Sequence, residues 1–304
     1  MTNLASSTRD ALARRCSIGA RKDFVDTTVF DTSRAAIGVF RCPATYPSFR
    51  DTGPIERSIV VFPRTGVWIR HAGSRAFLAD PSVVTIYNAS QEYERFAESP
   101  DGDRCDWFGV SADVAREIVR GLDPEAADSN RPFTFQRAPS STTLYMRQRA
   151  LLRRALRGEL DALEGEEAVI GIVESAIGRA YADAPRSRAR RRSSAVRHGD
   201  LADAARVELI RSVRETRSVS EIASALGTSA YHLCRVFRAC TGRTMHEYRN
   251  ELRVRTAMEH LENNATRANL SAVAHELGFS SHSHFVRAMR RYAGWTPSAV
   301  RAML

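Results

Sequence analysis

One feature of the chain constrains its architecture more than any other: a stretch in the last third is present twice. Val219-Ser-Glu-Ile-Ala-Ser-Ala-Leu-Gly-Thr-Ser229 returns as Leu270-Ser-Ala-Val-Ala-His-Glu-Leu-Gly-Phe-Ser280, an offset of 51. The continuation Leu233-x-Arg235-x-Phe237, then Gly242, returns as Phe285-x-Arg287-x-Met289, then Gly294, at an offset of 52. A repeat of this length is two copies of one supersecondary unit. In the first copy Val219, Ile222, Ala223 and Leu226 fall at i, i+3, i+4 and i+7, the spacing of one buried helix face. A Gly able to take positive φ ends that helix, and a Ser stands ready to N-cap the next. The unit predicted is a helix-turn-helix, twice over.

In a second helix beginning near Ser229, Leu233 and Phe237 must face the core, which turns Tyr231, Cys234, Arg235 and Arg238 outward. In the repeat, Phe285 and Met289 go inward and Ser281, His282, Ser283, Arg287 and Arg290 outward. Arginine can read guanine O6 and N7 bidentately in a major groove, while Tyr, Ser and His can meet base edges or phosphate. Tyr231, Cys234, Arg235, Ser281, His282, Ser283 and Arg287 are therefore the candidate base readers, with Arg235 and Arg287 foremost. Arg238, Arg243, Arg290 and Arg291, toward the far end of each helix, are candidate phosphate contacts. A connecting helix of about 18 residues spans roughly 27 Å, which suits two successive major grooves about 34 Å apart.

The charge distribution agrees with an anionic polymer as partner. Net charge is +10, yet residues 1–181 carry 24 basic and 24 acidic side chains, so the whole excess lies C-terminal to them. Between the two parts, residues 184–199 are Arg-rich without apolar period and read as a flexible basic linker. The predicted organisation is a sensor or dimerisation domain over 1–183, that linker, and a DNA-binding domain over 200–304.

The last hundred residues resemble the AraC/XylS family of bacterial transcription regulators. The resemblance rests on Leu233-Cys-Arg-Val-Phe237, Thr241-Gly242, Tyr248, Arg253, Gly278-Phe279-Ser280, Phe285-Val-Arg-Ala-Met289, Gly294-Trp-Thr-Pro297 and Arg301. Met289 departs from the Phe that the family prefers, His232 and His284 from its Tyr, and Val300 from its usual aromatic. The resemblance implies about seven helices, with a long one near Met245–Glu262 joining the two units. It also implies a transcription regulator that activates more often than it represses, with double-stranded DNA and RNA polymerase as partners.

The N-terminal half carries no motif of that specificity. From about Arg57 to Val110 short alternating runs such as Ser58-Ile-Val-Val-Phe62 and Val67-Trp-Ile-Arg-His71 are separated by turn residues. They predict an α+β chain whose N-terminal domain is a β-rich barrel or sandwich, cupin-like, followed by helices, with an all-α C-terminal domain. Leu144, Leu151, Leu152 and Leu156 form one helical stripe, and Val169, Ile172, Val173, Ala176, Ile177 and Ala180 form another, long enough for a homodimer seam or for the back of the sensor domain. Trp68, Arg70, His71 and Tyr87 are candidate linings of a small-molecule effector pocket, with Phe77, Tyr93 and Trp107 as further barrel aromatics.

Enzyme and metal chemistry find little support. Residues 1–197 hold a single histidine, His71, so a His-built metal site is not expected there, and neither a P-loop nor a G-x-S-x-G nor an H-E-x-x-H occurs. Cys16, Cys42 and Cys105 could meet as a thiol sensor or a thiophilic metal site but read more simply as buried apolar residues. No cofactor is expected. Five cysteines without a C-x-x-C pair, no apolar leader and no membrane-length apolar run point to the cytoplasm, associated with the nucleoid, and not to a membrane. The rival to a ligand-responsive regulator is a constitutive, nucleoid-type DNA-binding protein whose N-terminal domain only oligomerises.

Overall fold

The computed structural model describes residues 24–51, 53–188, 192–215, 217–263 and 269–303. Nine strands come first: β1 (Val25–Asp31), β2 (Ala35–Cys42), β3 (Ser58–Pro63), β4 (Val67–His71), β5 (Phe77–Ala79), β6 (Val83–Tyr87), β7 (Tyr93–Ala97), β8 (Asp103–Val110) and, after two helices, β9 (Arg137–Pro139). They form two antiparallel sheets, six strands in the order β1-β2-β8-β3-β6-β9 and three in the order β5-β4-β7. The inner strands of the larger sheet are buried on both faces, and the period-2 geometry of a strand sorts their side chains. Val60 and Phe62 of β3, Ile86 of β6 and Phe108 of β8 point to one side. Ile59, Val61, Tyr87, Cys105 and Trp107 point to the other, toward the smaller sheet.

Helices close the first side. They are α1 (Ala112–Arg120), α2 (Pro124–Ala127), α3 (Thr142–Arg157) and α4 (Ala162–Arg188). The stripe Val169, Ile172, Val173, Ala176, Ile177 and Ala180 is at most 3% exposed and packs on the sheet, so it is the back of this half and offers no seam to a second subunit. Leu144, Leu151 and Leu152 join that core, whereas Leu156 is left half exposed. Gly38 on β2 is required by packing: a Cβ there would come within 2.2 Å of the Trp107 indole, which lies across it.

Seven helices follow: α5 (Arg192–Arg211), α6 (Val219–Ala225), α7 (Ala230–Thr241), α8 (Met245–Asn263), α9 (Leu270–Glu276), α10 (His282–Ala293) and α11 (Pro297–Met303). The segment 184–199, expected as an irregular linker, is helical wherever it is described, closing α4 over 184–188 and opening α5 from Arg192. Arg and Ala are strong helix formers, and the lack of an apolar period excludes a buried face without excluding a helix.

The halves share a buried polar seam. Asp80, at the turn between β5 and β6, is wholly buried and accepts from Arg206 of α5 at 2.6 Å and from the Tyr248 hydroxyl of α8 at 2.5 Å. Ser82 meets the same hydroxyl at 2.7 Å. Burial alone would raise the Asp80 carboxyl, but the Arg206 charge and the hydrogen bonds from Ser82 and Tyr248 hold it below its ordinary value. Farther along, Thr142 donates to Glu251 at 3.0 Å, Arg255 donates to Glu251 and to the Ser140 carbonyl at 2.7 Å each, and Arg64 reaches Glu259 at 3.0 Å. Tyr145 and Met146 of α3 enter the apolar core of the C-terminal helices.

Candidate nucleic-acid interface and barrel cavity

Each predicted unit is two helices about a tight turn. Ser218 caps α6 and forms a reciprocal capping box with Glu221. Gly227, at φ 62°, turns the chain, and the Ser229 hydroxyl accepts from the His232 amide at 3.2 Å to start α7. In the second unit Asn269 caps α9, Gly278 takes φ 74°, and the Ser281 hydroxyl accepts from His284 at 3.1 Å to start α10. The second cap stands one residue later than the repeat alone would put it, so the step from 51 to 52 in the offset is an extra residue in the second turn. Phe279 of that turn is buried against Phe285, a centroid distance of 5.2 Å. Gly242 and Gly294 end α7 and α10 in left-handed geometry at φ 74° and 79°.

Leu233 and Phe237 on α7, and Phe285 and Met289 on α10, are wholly buried. On α7 the opposite face exposes Tyr231, at 80%, with Cys234, Arg235 and Arg238. On α10 it exposes His282, Ser283, Arg287, Arg290 and Arg291. Two of the predicted contacts are already engaged within the protein. Arg243 is half-buried with its guanidinium on Glu251, and the Ser281 hydroxyl is the α10 cap. Arg291 lies 3.6 Å from Glu247, with its side chain still largely in solvent. Between the units runs α8, 19 residues or roughly 28 Å at 1.5 Å per residue.

The family described as a helix-turn-helix domain matches residues 222–303. The chain carries an AraC-type helix-turn-helix domain. With that domain it is a DNA-binding transcription regulator. No curated protein matches the chain. Among solved structures it is similar to a transcriptional regulator from Chromobacterium violaceum described by its AraC-type DNA-binding domain, with 27% identity over 35% of this chain and 94% of that one, at a TM-score of 0.33. It is similar to ToxT from Vibrio cholerae in a structure bound to an unsaturated fatty acid, with 10% identity over 90% and 97% of the two chains, at 0.34. A cupin domain from Bordetella pertussis is similar over 31% of this chain and 98% of its own, with 16% identity, at 0.25.

N-terminal to the AraC-type domain, the two sheets enclose a cavity of about 430 Å³. Of the four predicted pocket residues only Tyr87 lines it. Trp68 and Arg70 alternate with Val67 and Ile69 along β4, and those two face the cavity, so the pleat turns Trp68 and Arg70 to the other face of the strand. There Trp68 donates to Glu98 at 2.9 Å and Arg70 is paired with Glu94. His71 is buried behind the wall, its ring 4.7 Å from that of Tyr87, and burial pulls its pKa down to about 4, so it is neutral at physiological pH.

Sequence reasoning had Trp107 and Tyr93 among the barrel aromatics, and both line the cavity, but it missed the carboxylates Asp26, Asp31, Glu56 and Asp103. Period-2 alternation of Asp26 and Thr28 along β1 was the available signal. Cys42 and Cys105 are free and buried, and burial pushes both thiols up, which suits inert packing. Cys16 lies outside the described residues. Among the described residues no group of His, Cys, Asp and Glu could hold a metal, and no helix is long and apolar enough to cross a membrane.

Proposed function

We propose that the chain is a transcription activator in which the half up to about residue 183 answers a small molecule and residues 200–304 read an asymmetric operator on one face of the duplex. The observation that carries this reading is the pair of solvent-facing surfaces on α7 and α10, each ending its helix-turn-helix and each bearing arginines, held apart by one helix of 19 residues. Arg235 and Arg287 read bases, with Tyr231, Cys234, His282 and Ser283 beside them, and Arg238, Arg290 and Arg291 hold phosphates. The function asks for no catalytic group, because recruiting RNA polymerase needs only binding surfaces.

The effector part of the reading is supported by the position of the cavity. Ala79 forms part of its wall, and the next residue, Asp80, holds Arg206 and Tyr248 of the C-terminal half. A ligand that moves β5 therefore moves a residue bonded to the core of the first unit. Selection of bound sequences from a random duplex library by the full chain at physiological salt is the test. Two short motifs about one helical turn apart are the expected outcome. Binding without enrichment that vanishes as salt rises would overturn the reading in favour of a nucleoid-type protein.

A further inference from the structure

The barrel cavity has a charge inventory that selects its occupant. Four carboxylates face it, and two of them are neutralised by the protein: Asp31 by Arg57 at 2.9 Å and Asp103 by Arg95 at 3.2 Å. Asp26 and Glu56 form no ion pair and accept no hydrogen bond among the described residues, and both are exposed to solvent where they line the cavity. Burial and then the Glu56 charge raise the Asp26 carboxyl, and the Arg95 charge acts against them. With Asp31 and Asp103 paired, these two carboxylates leave the cavity lining a negative surplus that an arriving positive charge would meet favourably.

The rest of the wall is aromatic. Phe40 and Tyr93 already have the Arg95 guanidinium over their faces, at 4.6 and 5.7 Å. Trp107, the ring type with the strongest attraction for cations, has none among the described residues. Its position is built in: Gly38 is the residue that lets the indole lie across β2, and a methyl group there would collide with it. At about 430 Å³ the space falls in the ~300–1,000 Å³ range of small-molecule sites.

We infer that this cavity binds a small organic cation, an amine or quaternary ammonium on an aromatic or short alkyl body, with its charge between Asp26 and Glu56 and its body against Trp107 and Tyr87. The inference rests on the effector-sensing reading and names the ligand class for it. It also sets this cavity apart from one suited to a fatty acid, whose carboxylate would meet Asp26 and Glu56.

The test uses the full chain and four probes of comparable or greater apolar content: phenethylamine, benzyltrimethylammonium, the neutral ethylbenzene and the unsaturated fatty acid palmitoleate. Binding is followed by calorimetry and by the rise in Tm, on the wild type, on an Asp26→Asn/Glu56→Gln double variant and on Trp107→Leu. Both cations are expected to bind saturably at one site and to lose about tenfold or more in affinity in the double variant. Trp107→Leu should weaken the quaternary cation more than the amine, since only the amine retains hydrogen bonds to the carboxylates.

Cation binding unchanged in the double variant would place it elsewhere on the surface and overturn the inference. So would ethylbenzene or palmitoleate binding at least as tightly as the cations and losing affinity in Trp107→Leu, an outcome that leaves the cavity an effector site of another class. No binding by any probe at millimolar concentration overturns it as well. Cation binding at the expected site with no change in affinity for the selected duplex would sustain the inference and refute the effector-sensing reading instead.

Discussion

The two helix-turn-helix units repeat one sequence pattern and are held in place differently. In the first, the core of Leu233, Phe237, Tyr248 and Leu252 ends on a polar contact: Tyr248 and Arg206 are bonded to the buried carboxylate of Asp80 from the β half. In the second, the core of Phe285, Met289 and Leu277 itself takes in side chains of the other half, Tyr145 and Met146 from α3, beside the polar contacts that α8 makes through Glu251, Arg255 and Glu259. The turns differ too. A Cβ at Gly227 would meet nothing within 4 Å, whereas one at Gly278 would lie 2.7 Å from the Arg214 carbonyl oxygen and 2.6 Å from the Arg253 guanidinium. One repeat thus serves two tertiary roles, and identical residues in it are required for different reasons.

The largest effect should come from cutting the polar contact. Asp80→Ala leaves Arg206 buried without its partner and should cost about 3–5 kcal/mol, read as a lowered Tm of the full chain. Asp80→Asn separates charge from shape. Because the native carboxyl is held below its ordinary value, its stabilisation is complete above the unfolded value of about 3.9 and is lost as pH falls through the depressed one. The Tm gap between wild type and Asp80→Asn should therefore narrow as pH drops below about 4. A gap that widens on acidification would break the contrast between the two attachments.

The turn glycines give the next test. Gly227→Ala should cost only the left-handed strain of about 1–2 kcal/mol. Gly278→Ala adds a collision with backbone and should cost about 2–5 kcal/mol in all. Equal losses would show that the second turn can yield, and the distinction between the turns would fall.

On DNA, Arg287→Ala should cost about 1–3 kcal/mol on the selected duplex and relax preference at one base pair. Arg291→Ala should weaken all duplexes alike and reduce the salt slope by about 1. Equal loss for Arg287→Ala on selected and random duplex would remove it from the readers. The smallest effect is expected where the units are most alike. Ser229→Ala and Ser281→Ala each delete one cap bond and should each lower stability by about 1 kcal/mol. A clear inequality would show that the Ser281 hydroxyl does more than cap.

The C-terminal half was legible because its determinants are local. Apolar residues three and four apart, a Gly after each short helix and a Ser before the next specify helix, turn and helix within about twenty residues, and that spacing alone assigned Leu233, Phe237, Phe285 and Met289 to the core. Alternation likewise announced the strands of the β half. It could not say which face of β4 looks into the cavity, so Trp68 and Arg70 were placed on the wrong side of the sheet. Nor could composition tell a helix from a tether in 184–199, since both are polar and both suit arginine.

By itself, then, the sequence determined that residues 200–304 fold as paired helix-turn-helix units with basic outer faces, because caps, turns and periodicity act between near neighbours. Only the tertiary structure decided that Asp80 meets Tyr248, 168 residues away, that Arg243 is spent on Glu251, and that Asp26 and Glu56 share a cavity with Trp107. Those are pairings between distant segments. They depend on how two sheets and a helical layer close on one another, and no local pattern encodes that closure.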